Sequence, residues 1–142
     1  MMIETERLIL RKFSENDLLD LFEYLSDPNV VKLEPYRPMP LDETREELEM
    51  RINSDEMVAV ALKASGKLIG NIYLGKRENK TLEIGYVFNK DYWKQGYARE
   101  SCAAVILEVF SSGVDRIIAH CDPEIRDPGD CWKGWVSPGK PT

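Results

Sequence analysis

The segment Trp93-Lys94-Gln95-Gly96-Tyr97-Ala98-Arg99-Glu100 joins an exposed glycine turn to an amphipathic helix, directly after the strand-like run Leu82-Glu83-Ile84-Gly85-Tyr86-Val87-Phe88. No other stretch constrains the fold as much. The first turn of a helix leaves backbone N–H groups without partners and carries the positive end of the macrodipole. A diphosphate can sit there without any lysine. Gly96 lets a ligand approach the backbone closely, and Ala98 keeps the turn narrow.

The elements around this junction follow from periodicity. Arg7 to Phe13 mixes apolar and basic residues as a half-buried strand does, and Ser14 then begins a helix with Asp17 placed to complete a capping box. Leu18, Leu19, Phe22 and Leu25 form the expected apolar face of that helix, and Pro28 is expected to end it. The stretch from Val30 to Leu41 reads as an irregular loop, and a second helix runs from Asp42 to about Asn53 with Leu48 and Ile52 inward. Met57 to Lys63, Leu68 to Gly75 and Thr81 to Phe88 are strand-like runs with short links, which predicts an antiparallel meander. A helix from Ala98 to about Ser111 follows, with Ala103, Ile106, Leu107 and Phe110 inward and Gly113 as its stop. Asp115 to Cys121 is a further strand, and a strand-helix-strand crossover makes it parallel to Thr81 to Phe88. The order implies an α+β fold, a mixed and mostly antiparallel sheet with helices on both faces.

A chain of 142 residues holds one domain. Its 43% apolar and 31% charged residues are those of a soluble globular protein. Nineteen basic against twenty-five acidic residues give a net charge of −6, which argues against a nucleic-acid surface and favours a cationic substrate. The three cysteines, Cys102, Cys121 and Cys131, have no ligand spacing and leave one over from any disulfide. A reducing cytoplasmic setting and no bound metal are expected. The start lacks a basic region followed by an apolar run, and no apolar stretch approaches spanning length, so neither export nor membrane insertion is expected. The absence of Gly-x-x-x-x-Gly-Lys-Ser/Thr argues against a P-loop nucleotide-binding protein.

With the opening Ile3-Glu4-Thr5-Glu6-Arg7-Leu8-Ile9-Leu10-Arg11, the loop and the strand before it resemble the GNAT family of acetyl-CoA-dependent N-acetyltransferases, in its ribosomal-protein N-terminal and spermidine acetyltransferase branch. The resemblance runs from about Ile3 to Glu124. The family's phosphate loop is a Gln or Arg, two residues, then Gly-x-Gly or Gly-x-Ala, and it is met except at its first place, where Trp93 stands. The resemblance implies transfer of an acetyl group from acetyl-CoA to a primary amine, on a protein N-terminus, a polyamine or another small amine, by direct attack in a ternary complex. It places the diphosphate on the backbone of Trp93, Lys94, Gln95, Gly96, Tyr97, Ala98 and Arg99, and the pantetheine arm against the main chain of Tyr86, Val87 and Phe88.

Glu83 matches the position that faces the substrate amine in the spermidine acetyltransferases, as general base or amine-binding carboxylate. Burial among Leu82, Ile84 and Tyr86 is expected to raise its pKa. The alternative is a solvent-side carboxylate on a half-exposed strand. His120, the only histidine, matches a position where other relatives carry a catalytic glutamate. Tyr36, Arg37 and the acidic helix after Asp42 are expected to border the acceptor site, and Tyr92 and Tyr97 to be packing residues.

After Glu124 the family continues with Asn, two residues, Ser and a helix containing Leu-x-Glu-x-Leu-Gly-Phe. This chain reads Ile125-Arg126-Asp127-Pro128-Gly129-Asp130-Cys131-Trp132-Lys133-Gly134-Trp135-Val136-Ser137, without helical or strand periodicity. Restoring one base after the Glu124 codon converts Cys131, Trp132 and Lys133 to Leu, Leu and Glu and Val136 to Gly. It also permits Asn for Ile125, Ser for Pro128, Leu for Trp135 and Phe for Ser137. The expectation is an incomplete domain over 1–124 and a frameshifted, irregular tail over 125–142. The last helix and final strands of the family fold, with its usual acid tyrosine, would then be missing. An uncovered strand edge beside Asp115 to Cys121 would favour a homodimer. Such a chain is either a working acetyltransferase or an inactive remnant that at most binds CoA.

Overall fold

The computed structural model of the chain describes residues 2–32, 37–78 and 80–119. Strands β1 (Ile3–Glu4), β2 (Leu8–Arg11), β3 (Met57–Leu62), β4 (Leu68–Arg77), β5 (Thr81–Phe88) and β6 (Arg116–Ala119) form one sheet in chain order. All neighbours are antiparallel except β5 and β6, which run parallel from Thr81↔Arg116 to Ile84↔Ala119. The parallel pair follows from the crossover through the helix Tyr97–Ser111, because a strand that returns after a helix enters the sheet in the same direction. The α-helices are α1 (Leu18–Leu25), α2 (Pro28–Val31), α3 (Leu41–Ile52) and α4 (Tyr97–Ser111).

Strand alternation divides the core in two. Leu8, Leu10, Val58, Val60, Ile72, Leu74, Leu82 and Ile84 meet Ala98, Cys102, Val105, Ile106 and Val109 of α4 on one face. On the other, Ala59 and Val87 meet Phe13, Leu21, Tyr24, Leu25, Val30, Val31 and Leu48, so α1 to α3 cover the opposite side. Buried Asn71 fixes that second layer. Its side-chain oxygen accepts from the Tyr24 hydroxyl at 2.7 Å and from Arg51 Nη1 at 2.9 Å, joining α1 and α3 to β4.

Three helix expectations are corrected. Glu15 to Asp17 form a 3-10 turn before α1, and the buried residues of α1 are Leu21, Tyr24 and, as expected, Leu25, while Leu19 is 70% exposed. Asp17 does close on Ser14, accepting its backbone N–H at 2.8 Å. Pro28 starts α2 instead of ending α1, since its missing N–H costs nothing at a first helical position and Asp27 caps the turn through Asn29 N–H. In α4 the inward apolar residues are Ala98, Cys102, Val105, Ile106 and Val109, so Ile106 lies as expected, while Leu107 is 74% exposed and Ala103 and Phe110 are half-buried. The sequence Ala103 to Phe110 is apolar nearly all round, so its own periodicity admits several faces and sheet packing selects one. Among the loop expectations, Tyr36 lies outside the described residues, as do His120, Cys121 and the whole tail over 125–142.

One close approach positions the end of β5. A Cβ on Gly70 would stand 2.5 Å from Phe88 Cδ1 and 2.6 Å from the Val87 carbonyl, so β4 needs glycine there to carry the Phe88 ring.

Candidate active site

The site begins where β5 ends. Asn89 N–H donates to the Ile69 carbonyl at 2.8 Å, and the register Asn71↔Val87 continues the same phase. Antiparallel alternation then turns the Val87 main chain into the ladder with β4 and the Tyr86 and Phe88 main chains toward the β6 edge. The expectation that Val87 offers its backbone to a ligand is corrected on that ground. Phe88 is tied forward as well, because the Trp93 indole N–H donates to its carbonyl at 2.8 Å.

Between Phe88 and α4 the chain makes a 3-10 turn over Lys90–Tyr92, capped by Asn89 through Asp91 N–H. Trp93 closes this turn by donating its backbone N–H to Lys90 at 3.2 Å. That corrects the loop at its first place: the Trp93 N–H is already used, and its indole braces Phe88 to the loop. Lys94 and Gly96 then take left-handed backbone conformations, at φ 62° and 83°. From Gly96 through Arg99, no backbone N–H has an acceptor among the described residues, and the first bond of α4 runs from Glu100 N–H to the Gly96 carbonyl. A run of unpartnered N–H groups at a helix start, with a left-handed residue at its mouth, fits an anion such as a diphosphate.

The link between β1 and β2 holds this loop. Arg7 Nε donates to Glu100 Oε1 at 2.7 Å, Arg7 Nη1 donates to the Gln95 carbonyl at 3.0 Å, and the guanidinium lies 4.2 Å from the Tyr97 ring centre. The second Glu100 oxygen accepts from the Thr5 hydroxyl at 2.6 Å and from Arg7 N–H at 2.9 Å. Tyr97 also meets Tyr92 edge-on, at 6.1 Å between centroids, so both tyrosines pack as expected. Thr5, Arg7 and Glu100 brace the loop, and the sequence alone does not single them out. The one available signal is Glu100 itself, an acid in the first turn of the helix.

Partial burial pushes the Glu100 carboxyl up, but the Thr5 hydroxyl, the Arg7 N–H and the Arg7 side chain together hold it below its ordinary value. A carboxyl lowered on folding contributes stability that is present above the unfolded value, about 4.3. That contribution is lost as pH falls through the lower folded value. Chemical denaturation of the wild type and Glu100→Gln is therefore expected to show a stability gap at pH 7 that closes below about pH 4. A gap that stays constant with pH would contradict the clasp.

Glu83 sits elsewhere on the sheet. It pairs with Gly75 on β4 and Ile118 on β6, so its side chain is on the face opposite Leu82 and Ile84. The expected burial among Leu82, Ile84 and Tyr86 is corrected by that alternation. The carboxylate is 28% exposed and forms an ion pair with Arg77. Tyr73, first, and then Glu83 hold the Arg77 guanidinium above its ordinary pKa against partial desolvation. Tyr73 lies over Gly75, where a Cβ would collide with the phenol. Tyr73, Arg77 and Glu83 thus form a polar cluster on the face that carries α1 to α3, and Tyr73 and Arg77 were not foreseen. Of the expected acceptor-side residues, Arg37 is exposed and pairs with Glu43 at 2.6 Å.

Among the described residues no group of three or more His, Cys, Asp or Glu could hold a metal ion, and no helix is long and apolar enough to cross a membrane. Comparison with known proteins gives a consistent result. A family model described as "Acetyltransferase (GNAT) domain" matches residues 7–124. The "Uncharacterized N-acetyltransferase YnaD" of Bacillus subtilis (strain 168) is 37% identical over 134 residues, which covers 87% of this chain and 75% of that protein. A crystal structure of a GNAT-family acetyltransferase from Bacillus anthracis has a TM-score of 0.81 at 36% identity, covering 87% of this chain and 75% of that chain. The RimL ribosomal L7/L12 alpha-N-protein acetyltransferase, solved in complex with coenzyme A, shares the fold at a TM-score of 0.70 and 19% identity, with 84% and 73% covered. By its fold, its loop and its relatives, this chain belongs to the GNAT family of acetyl-CoA-dependent acetyltransferases.

Proposed function

We propose that this chain moves an acetyl group from acetyl-CoA to a primary amine by direct attack in a ternary complex. The row of N–H groups from Gly96 to Arg99, without acceptors among the described residues and beside the end of β5, carries this reading. When bound, acetyl-CoA supplies a thioester whose C–S bond breaks as the amine nitrogen bonds to the acetyl carbon. The backbone of Lys94 through Arg99 binds the diphosphate, and the main chains of Tyr86 and Phe88 border the pantetheine arm along the β6 edge. Trp93 keeps that edge joined to the loop through its indole.

Glu83 takes the proton of the attacking amine, directly or through a water, and is released from Arg77 to do so. His120 is the alternative base. The net charge of −6 supports a cationic acceptor such as a protein N-terminus, a polyamine or another small amine. The proposal extends to a cytoplasmic location and to a homodimer paired through β6, which ends the sheet among the described residues.

A second reading, a chain that holds CoA without turnover, is favoured by one observation. The family match ends at residue 124, the position after which the altered reading frame is placed. A free-thiol assay with acetyl-CoA and a panel of peptide N-termini, polyamines and small amines separates the two. Amine-dependent thiol release supports transfer, while acetyl-CoA binding with no release for any amine supports the second reading.

A further inference from the structure

We propose that Arg7 is a positioning residue for acetyl-CoA, which aims the loop's N–H groups at the diphosphate without touching the cofactor. The inference rests on the phosphate-loop reading above. A trans peptide unit points its C=O and the following N–H in opposite directions, and no peptide bond among the described residues is cis. Arg7 Nη1 holds the Gln95 carbonyl at 3.0 Å, so the Gly96 N–H is turned away from the guanidinium. A Cβ at Gly96 would have Arg7 Nη2 as its neighbour at 3.4 Å, which places the guanidinium directly behind that residue.

The same side chain solves an electrostatic difficulty. Glu100 stands in the first turn of α4, where a free carboxylate would repel a diphosphate bound at the helix start. Arg7 Nε and Arg7 N–H engage both of its oxygens, joined by the Thr5 hydroxyl, and draw the charge to the back of the helix. Stacking on Tyr97 at 4.2 Å fixes the plane of the guanidinium so that one fork reaches both Gln95 and Glu100. Lysine has no such fork.

The test compares dissociation constants for acetyl-CoA and for acetyl-pantetheine, the same thioester without diphosphate and nucleotide. Wild-type protein is expected to hold acetyl-CoA far more tightly. Arg7→Ala is expected to weaken acetyl-CoA about tenfold or more, the scale of a hydrogen bond to a charged group, and to leave acetyl-pantetheine within about twofold. Arg7→Lys should fall between. A general loss of structure would weaken both thioesters alike, which the ratio reveals and circular dichroism checks. If Arg7→Ala does not fold, the ratio is read in Arg7→Lys, where a drop of a few fold is expected. A wild type that binds both thioesters equally would overturn the phosphate loop and this inference with it. A wild type that prefers acetyl-CoA, with the same preference kept in both variants, would overturn the role of Arg7 alone.

Discussion

Replacement of Glu83 by Gln is expected to lower kcat by about a hundredfold or more, the usual range for loss of a general base, while acetyl-CoA affinity stays unchanged. The variant keeps the size of the side chain and its place opposite Gly75 and Ile118, and it removes the capacity to take a proton. It also breaks the ion pair with Arg77. That pair is partly exposed, so its loss costs little stability. Steady-state rates and a calorimetric dissociation constant on the same preparation give both numbers. Equal losses in rate and affinity would remove Glu83 from the base role. An unchanged rate would direct attention to His120.

The second large effect is at Gly96. Its φ of 83° lies in the left-handed region, where a β-branched residue is strained by roughly 1–2 kcal/mol. Gly96→Val also puts its side chain against Arg7 Nη2, at the contact that holds the Gln95 carbonyl. Relaxation of that strain rotates the loop peptides, so the N–H groups lose their common direction. Acetyl-CoA affinity is expected to fall at least about tenfold, with a smaller change in kcat at saturation. Gly113, at φ 99° beyond the helix end, serves as the control: Gly113→Val carries similar strain and should cost stability without changing acetyl-CoA affinity. Unchanged affinity in Gly96→Val would contradict the phosphate-loop assignment.

The sheet was legible because strand alternation and short links are local signals. Met57 to Lys63 and Thr81 to Phe88 appear almost as read, and the parallel β6 follows from the crossover alone. The face of α4 was not legible, because residues apolar on several sides give no phase until the sheet supplies one. Glu83 was singled out in the sequence, and its surroundings were misread, since neighbours in the chain lie on the opposite face of a strand. The loop was legible from Gly96 and Ala98, yet its support was not. Arg7 and Glu100 stand 93 residues apart, and no pattern in either segment announces the other. Trp93 shows a related limit: it breaks the consensus at its first place, and only the fold reveals the indole bound to Phe88.

The most direct test of the account is a titration of the labelled protein with acetyl-CoA, followed through its backbone amide resonances. The largest shifts are predicted at Gln95 through Arg99, led by Gly96, with Tyr86 and Phe88 next. Shifts concentrated on other elements, with the Gly96 amide unmoved, would contradict the site.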